Sequence, residues 1–172
     1  MAGIIFILGG ARSGKSRYAV ELAKKYKERV AFIATCKPKD SEMKHRIHLH
    51  KKARPRDWQT FEEEKDIVSA LTKIKDKFEC IIIDCVTLMV SSFILGGFSQ
   101  NLIEDKINNM IKHIKRNKAM VIMVSNEVGL GIVPENKLAR GFRDAAGRIN
   151  QIIAKESREV YFMVSGIPWR IK

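Results

Sequence analysis

Short apolar runs alternate with amphipathic stretches along most of this 172-residue chain. The runs are apolar nearly throughout and are bounded by glycine or charged residues, which is typical of strands buried on both faces of a sheet. Predicted strands span residues 4–8, 29–35, 80–84, 119–125 and 159–165, and residues 169–172 are a candidate sixth.

The stretches between these runs carry apolar residues three and four positions apart, as helices that pack on a sheet do. Strands that alternate with helices predict an α/β fold, with a mostly parallel sheet covered by helices on both faces. The length suits one sizeable core, so we expect residues 1–172 to form a single domain. Predicted helices span residues 16–26, 66–78, 87–95, 100–116 and 136–157.

Residues 37–58 interrupt this pattern. The segment is dense in charge and histidine, contains Pro38 and Pro55, and predicts a short helix over residues 41–52. Its polarity makes it a poor candidate for the core. We therefore interpret it as an inserted binding element.

A phosphate-loop motif of the form G-x-x-x-x-G-K-[ST] lies between the first strand and the first helix. Backbone N–H groups of such a loop close around a triphosphate, and the helix N-terminus adds a partial positive charge. The lysine reaches the β- and γ-phosphates, and the serine hydroxyl binds Mg²⁺. A tight turn that merely contains lysine and serine is the alternative, but the flanking strand and helix favour nucleotide binding. The motif consists of Gly9, Gly10, Ala11, Arg12, Ser13, Gly14, Lys15 and Ser16.

An acid ends the third predicted strand. Asp84 follows three isoleucines, as a Walker-B carboxylate does, and would hold Mg²⁺ together with Ser16, directly or through water. Ligands of parallel sheets bind at the carboxyl ends of the strands, where both residues fall. The alternative is that Asp84 caps the following helix, and the two roles are compatible.

Two further segments leave alternatives open. Residues 126–134 contain two glycines and a proline, which suits either a shaped contact with a ligand or subunit or a plain connection. On the next predicted helix, arginines and an acid fall close to one face, as an anion-facing stripe or an exposed ladder of ion pairs. These residues are Arg140, Arg143, Asp144 and Arg148.

Three histidines lie in the inserted segment. His45 and His48 are spaced for metal chelation, but no further ligands follow at a recognisable spacing. His50 is most simply a surface residue, yet it lies beside Lys51, Lys52 and Arg54. A neutral imidazole there can attack an α-phosphate while the cations stabilise departing pyrophosphate.

The net charge of +13 raises the question of nucleic-acid binding. The lysines are spread along helical faces without an aromatic or recognition motif, so solvated faces and attraction for nucleotides explain the charge. No apolar run is long enough to span a membrane, and the N-terminus lacks signal-peptide features, so we expect a cytoplasmic protein. Cys36, Cys80 and Cys85 form no metal or disulfide pattern, and reduced thiols are expected.

Taken in order, these motifs resemble the bifunctional adenosylcobinamide kinase / adenosylcobinamide-phosphate guanylyltransferase family of cobalamin biosynthesis. The similarity covers essentially the whole chain, with one departure at Ser92, where we expect the family to have asparagine. The matching positions are residues 9–17, 34–35, 42–43, 46–47, 50, 54–55, 58, 60, 62, 84–87, 126–135, 139–140, 142–144, 147–148, 150–151 and 165–168.

This resemblance implies two reactions. A nucleoside triphosphate, ATP or GTP, phosphorylates the aminopropanol hydroxyl of adenosylcobinamide, and GMP from GTP then passes through a histidine to the new phosphate. The histidine is His50, three residues after the pair Arg46-Ile47. The resemblance also implies a RecA-type P-loop fold, a homotrimer and small-molecule partners only. Nucleotide-contacting positions carried over with it are Ala34, Thr35, Cys36, Lys51, Lys52, Ala53, Arg54, Glu62 and Asp84.

Two other functions remain as alternatives. A P-loop kinase for a different small alcohol shares Lys15, Ser16 and Asp84 but forms no covalent nucleotide. A RecA-like ATPase that binds DNA uses the positive charge instead, and shows salt-sensitive DNA binding.

Overall fold

Within the residues that the computed structural model describes, seven strands form one sheet. The model describes residues 3–26, 29–36, 41–52, 54–64 and 66–172, except for the side chains of residues 43, 44, 46, 47, 49 and 50. The strands are β1 (Gly3–Gly9), β2 (Val30–Ala34), β3 (Gln59–Glu62), β4 (Cys80–Asp84), β5 (Met120–Val124), β6 (Glu159–Val164) and β7 (Ile167–Arg170).

The strand order is β3-β2-β4-β5-β1-β6-β7. Every neighbouring pair is parallel except β6 and β7, which form an antiparallel hairpin. The predicted mostly parallel sheet is therefore confirmed. Because β1 to β6 run in the same direction, their carboxyl ends meet at one edge of the sheet, which we call the carboxyl edge.

The helices follow the predicted pattern closely. None of those in the described ranges combines the length and the apolar character needed to cross a bilayer. They are α1 (Lys15–Ala23), extended by a 3₁₀ turn at Lys24–Tyr26, α2 (Ser41–Lys52), α3 (Ile67–Lys73), α4 (Val86–Leu95), α5 (Gln100–Lys115) and α6 (Lys137–Glu156).

Local capping explains where three helices begin. The side chains of Asp66, Ser99 and Asn136 accept hydrogen bonds from backbone N–H groups in the first turns of α3, α5 and α6. The helix predicted over residues 66–78 is too long, because α3 ends at Lys73. Asp76 has a positive φ of 59°, so the following residues form a turn that leads the chain into β4.

Helices cover both faces of the sheet, as predicted. Phe6 of β1 lies in a cluster that α3, α4, α5 and α6 complete, with Ile107 of α5 as a central member. Ile82 of β4 belongs to the cluster on the opposite face, together with Ala19 of α1 and the buried Trp58. The heavier layer thus lies on the face away from α1, and only the first turn of α1 lies at the carboxyl edge.

The sequence pattern did not predict β3, and it placed the last strand, β7, two residues too late. The residues of β3 are mostly exposed at the edge of the sheet, so they lack the apolar run that marks the other strands. The last strand was predicted at residues 169–172 but starts at Ile167. Ser165 and Gly166 have φ angles of 51° and 85°, which form the two-residue turn of a β-hairpin.

Candidate nucleotide site at the carboxyl edge

The phosphate loop connects β1 to α1. Gly9 has a φ of 151°, and a Cβ added there would lie 2.7 Å from the carbonyl oxygen of Met163. Gly14 has a φ of 94° at the N-cap of α1, and its added Cβ would lie 3.3 Å from Gly166 Cα. A larger residue at either position is therefore strained, which explains why the loop requires glycine there.

Lys15 is folded into this loop. It is only 8 % exposed, and its ammonium group donates hydrogen bonds to the Gly10 carbonyl and to Ser13 Oγ. The first turn of α1 contains no acidic residue, so no side chain of that turn offsets the positive end of the helix dipole. The loop therefore presents backbone N–H groups and a cation where a phosphate group would bind.

The strand register brings Asp84 to the same edge as the phosphate loop. Asp84 pairs with Val124 of β5, which in turn pairs with Ile7 of β1. Two strand spacings of about 4.8 Å each separate these positions. Asp84 does not cap α4, because the N-cap is Cys85 and makes no side-chain cap. The helix-cap alternative is therefore wrong, and the carboxylate is half-buried at the site.

The oxygen ligands that Mg²⁺ prefers are available here. The Ser16 hydroxyl lies at the start of α1 and the Asp84 carboxylate at the end of β4, both half-buried and facing the same edge region by their positions in the chain. Such a hydroxyl and carboxylate, with water and phosphate oxygens, form the usual Mg²⁺ environment of nucleotide sites. The residues thus fit the ion.

Thr35 holds the ends of β2 and β4 together. Its hydroxyl donates to the Cys85 carbonyl and accepts from Cys85 N–H, at 2.7 Å each, and Thr35 N–H donates to the Asp84 carbonyl. The fully buried Thr35 side chain therefore fixes the backbone at Asp84 and Cys85. Ala34 and Cys36, on either side of Thr35, are half-buried.

Cys85 itself is a buried thiol. Burial, reinforced by the charge of Asp84, raises its pKa to about 12.

Arg54 also lies near Asp84. Its guanidinium group is 3.2 Å from the centroid of the Phe32 ring, and Nη1 is 3.4 Å from Thr60 Oγ1. Burial lowers the pKa of Arg54, and the charge of Asp84 partly offsets this effect. Arg54 is thus a positioned cation between β2, β3 and the carboxyl edge.

The inserted segment delivers further predicted residues. Lys51 Nζ lies 2.8 Å from Glu62 Oε1, so α2 is tied to the end of β3. Lys52 is exposed. His50 lies in the last turn of α2, but its side chain is outside the described part, as is the whole of Ala53.

The loop after β5 begins beside the phosphate loop. Glu127 N–H donates to the Gly9 carbonyl at 3.0 Å, and the Glu127 carboxylate accepts from Gly129 N–H at 2.7 Å. Arg140 donates to carbonyl groups in this loop, including that of Pro134. Leu130, Ile132 and Val133 are exposed at its tip. The loop is therefore shaped by its own contacts.

The arginines of α6 form no extended ladder of ion pairs. The described side chains give only a 3.9 Å contact between Arg143 and the adjacent Asp144. Arg140 binds backbone carbonyls instead of a carboxylate.

Ser92, where we expect asparagine in the family, makes a defined contact. Its hydroxyl donates to Glu64 Oε1 at 2.6 Å.

The β6–β7 hairpin supports the phosphate loop through a contact that the sequence did not predict. Gly166 N–H donates to the Ser13 carbonyl at 3.0 Å, which ties the hairpin turn to the loop. A Ser-Gly pair between two β-prone runs is a hairpin signal that indicates the turn. The long-range contact with Ser13 has no counterpart in the local sequence.

Comparison with known proteins identifies the family. Residues 5–171 match the family model described as cobinamide kinase / cobinamide phosphate guanyltransferase. The chain belongs to this family. The resemblance inferred from the sequence motifs is therefore confirmed over nearly the whole chain.

Curated relatives agree with the family model. The chain is 42 % identical to the bifunctional adenosylcobalamin biosynthesis protein CobU of Salmonella typhimurium, covering 98 % of this chain and 99 % of that protein. The Escherichia coli protein of the same name is 39 % identical with the same coverage. The Pseudomonas aeruginosa protein CobP is 38 % identical over 96 % of this chain and 95 % of its own.

A solved structure supports the fold. An ATPase domain of known structure superposes with a TM-score of 0.53 at 13 % identity, over 93 % of this chain and 68 % of that chain. At this identity the likeness concerns the fold alone. The P-loop, RecA-like architecture predicted for this family member is confirmed.

Proposed function

We propose that this protein phosphorylates the aminopropanol hydroxyl of adenosylcobinamide with ATP or GTP, and then transfers GMP from GTP to the product. The observation that carries this proposal is the buried Lys15 ammonium in a phosphate loop at the same edge of the sheet as Asp84. Family membership supplies the substrate class.

In the first reaction, the substrate hydroxyl oxygen attacks the γ-phosphorus, and the bond to the β–γ bridging oxygen breaks. The hydroxyl proton passes to solvent water as the new P–O bond forms, and a nucleoside diphosphate is released. The loop amides and Lys15 stabilise the charge that develops on the phosphate oxygens. Ser16 and Asp84 would hold Mg²⁺, which neutralises part of that charge when bound.

In the second reaction, a nitrogen of His50 attacks the α-phosphorus of GTP and pyrophosphate leaves. A phosphate oxygen of adenosylcobinamide phosphate then attacks the same phosphorus, and the bond to His50 breaks to give adenosylcobinamide-GDP. Cations next to His50 in the chain support this role, since Lys51, Lys52 and Arg54 attract the triphosphate and stabilise the leaving group. Together with these, Ala53, Glu62 and residues 34–36 complete the proposed nucleotide contacts.

Both reactions are assigned to a single domain of a cytoplasmic homotrimer that binds small molecules and no nucleic acid. Leu130 and Ile132 support the association of copies, because they are 81 % and 97 % exposed and are costly to leave in water. Sedimentation analysis tests the trimer, and a monomer at micromolar concentration contradicts it.

Incubation with α-labelled GTP tests the covalent step. We expect label on the denatured wild-type protein, acid-labile and stable to alkali, as phosphoramidates are. His50→Ala abolishes the label and the formation of adenosylcobinamide-GDP, whereas the matched control His48→Ala keeps both. Kinase activity persists in His50→Ala. A wild-type protein that phosphorylates the corrinoid but takes no label is a simple kinase, and label on another residue overturns the role of His50.

A further inference from the structure

A closed ring of hydrogen bonds lies where the chain leaves β5. Thr87 Oγ1 and Ser125 Oγ are 2.9 Å apart, and Ser125 Oγ donates to Asn150 Oδ1 at 2.8 Å. Asn150 Nδ2 donates to the Asn126 carbonyl at 3.2 Å, and Asn126 N–H donates to Thr87 Oγ1 at 2.6 Å. The three side chains are 0–5 % exposed.

The ring has one direction. A hydroxyl group has a single proton, and that of Ser125 is used on Asn150. Thr87 must therefore donate to Ser125 while it accepts from Asn126 N–H. Each residue in the ring both donates and accepts, and the linked hydrogen bonds of the three side chains polarise and strengthen one another. Both the N–H and the carbonyl of Asn126 are satisfied by side chains from two different helices.

This ring connects the two halves of the phosphate site. Thr87 lies in the first turn of α4, three residues after Asp84. Asn126 is followed by Glu127, whose N–H donates to the carbonyl of Gly9, the first residue of the phosphate loop. Asn150 on α6 closes the ring between them. The ring is therefore linked by short stretches of chain and hydrogen bonds both to Asp84 and to the loop.

Mere packing explains this arrangement poorly. Thr87 and Ser125 are buried in a protein whose two core clusters are apolar, and a pair of buried hydroxyls contributes little net stability compared with apolar groups of similar shape. What the ring supplies is direction, because it orients the two successive peptide groups on either side of Asn126, one through its N–H and one through its carbonyl.

We propose that Thr87 and Asn150 are positioning residues for phosphoryl transfer: through Ser125 and the Asn126 peptide they set the relation between Asp84 and the phosphate loop. They act on the Mg²⁺-nucleotide through these elements without touching it. The proposal rests on the proposed kinase function. It concerns geometry alone and adds no chemical step.

The decisive variant is Thr87→Val, which has nearly the same shape but neither donates nor accepts a hydrogen bond. We expect kcat for the kinase reaction to fall about tenfold or more, with a higher half-saturating Mg²⁺ concentration and an unchanged KM for the corrinoid. Thr87→Ser retains the hydroxyl and restores both values. Asn150→Asp, which replaces the donor to the Asn126 carbonyl with an acceptor, gives the same defect as Thr87→Val.

A matched control separates positioning from stability. Ile153→Val shortens a fully buried apolar side chain on α6, one turn beyond Asn150, and removes none of the hydrogen-bonding groups of the ring. Its melting temperature falls, but kcat and the Mg²⁺ dependence stay at wild-type values. The proposal is overturned if Thr87→Val has wild-type kinetic constants, or if Ile153→Val at an equal loss of melting temperature shows the same kinetic defect.

Binding of a fluorescent GTP analogue keeps this test independent of the corrinoid reaction. Thr87→Val should raise the Mg²⁺ concentration needed for half-maximal binding of the analogue, and Thr87→Ser should return it to the wild-type value. If the wild-type protein binds the analogue but phosphorylates no corrinoid, the proposed function fails and the ring still stands on these binding data. If the corrinoid reacts and both variants bind like wild type, the ring proposal fails alone.

Discussion

Lys51 and Glu62, two of the residues expected to contact nucleotide, bind each other: Lys51 Nζ lies 2.8 Å from Glu62 Oε1. The pair joins the end of α2 to the end of β3. Both side chains are about half exposed, so the pair contributes at most about 1 kcal/mol to stability. Because Lys51 lies within the inserted segment and Glu62 at the end of β3, the pair is more important for placing α2 than for holding the fold.

Glu62→Gln separates these two effects. We expect less than about 1 kcal/mol of change in unfolding free energy, because an exposed ion pair is lost. KM for GTP in the guanylyl transfer should rise severalfold, since the change alters both the pair and the proposed contact of Glu62 with nucleotide. Denaturant titration and transfer kinetics measure the two quantities. Glu79→Gln, which breaks the exposed pair with Arg29 at the opposite edge, is the control and should leave KM unchanged.

Lys15→Ala should leave a folded protein with about a hundredfold less kinase activity or lower. Removing a cation from the transferring phosphate costs several kcal/mol of barrier, and each 1.36 kcal/mol is about tenfold in rate. Turnover of adenosylcobinamide with ATP or GTP measures the loss. Lys24→Ala removes an exposed lysine just beyond α1 and should have no effect. Near-normal turnover of Lys15→Ala contradicts the phosphate-loop assignment.

Asp84→Asn should raise the Mg²⁺ concentration needed for half-maximal rate and slow both reactions, because both develop charge on phosphate oxygens. Mg²⁺ titrations of the two half-reactions measure this. Asp105→Asn removes an exposed carboxylate from α5 and serves as the control. Superposable titrations for Asp84→Asn and wild type would show that Asp84 does not serve the metal.

Cys36 should be the thiol that alkylates readily in the native protein. It is half-buried at the end of β2, whereas burial raises the pKa values of Cys80 and Cys85 to about 12 and keeps both thiols protonated. GTP should slow the reaction if residues 34–36 contact nucleotide. Mass spectrometry after iodoacetamide treatment at pH 8 locates the label, with Cys36→Ser as the control. Equal rates with and without GTP argue against the contact.

Stability should fall in alkali because of the same two buried thiols. Their pKa rises from 9.0 to about 12 on folding, so each contributes fully below pH 9 and its contribution is lost as the pH rises towards 12. Each thiol lowers the free energy of unfolding by on the order of 1 kcal/mol per pH unit within this window. Denaturant titrations at pH 8 and 10 measure it. Cys80→Ala should show a smaller decrease than wild type, and an equal decrease contradicts the prediction.

The sequence predicted the elements that make many local contacts. The bounds of α2 and β4 agree with the prediction, because helical spacing and a continuous apolar run are local signals. The carboxyl edge was predictable for the same reason, since parallel strands place Ser16 and Asp84 together. The exposed β3 carries no such signal, and it was missed.

Contacts between distant segments could not be predicted. The stacking of Arg54 on Phe32 and the ring through Thr87 and Asn150 join segments whose relative positions depend on the completed sheet. Nothing in the residues around Arg54 distinguishes a stacked guanidinium from a solvated one. Side-chain partners of this kind follow from the strand order, and local sequence signals do not determine that order.

The central position of β1 has a consequence for how the protein becomes active. Both neighbours of β1, namely β5 and β6, come from the second half of the chain, and the turn that supports Ser13 follows β6. During synthesis the phosphate loop is made early, but it cannot adopt its final structure until β5, β6 and the turn after β6 have been made. Contacts between residues so far apart in sequence slow folding. Nucleotide binding therefore reports that the sheet is complete, and a nascent chain that stops before β5 should retain no GTP.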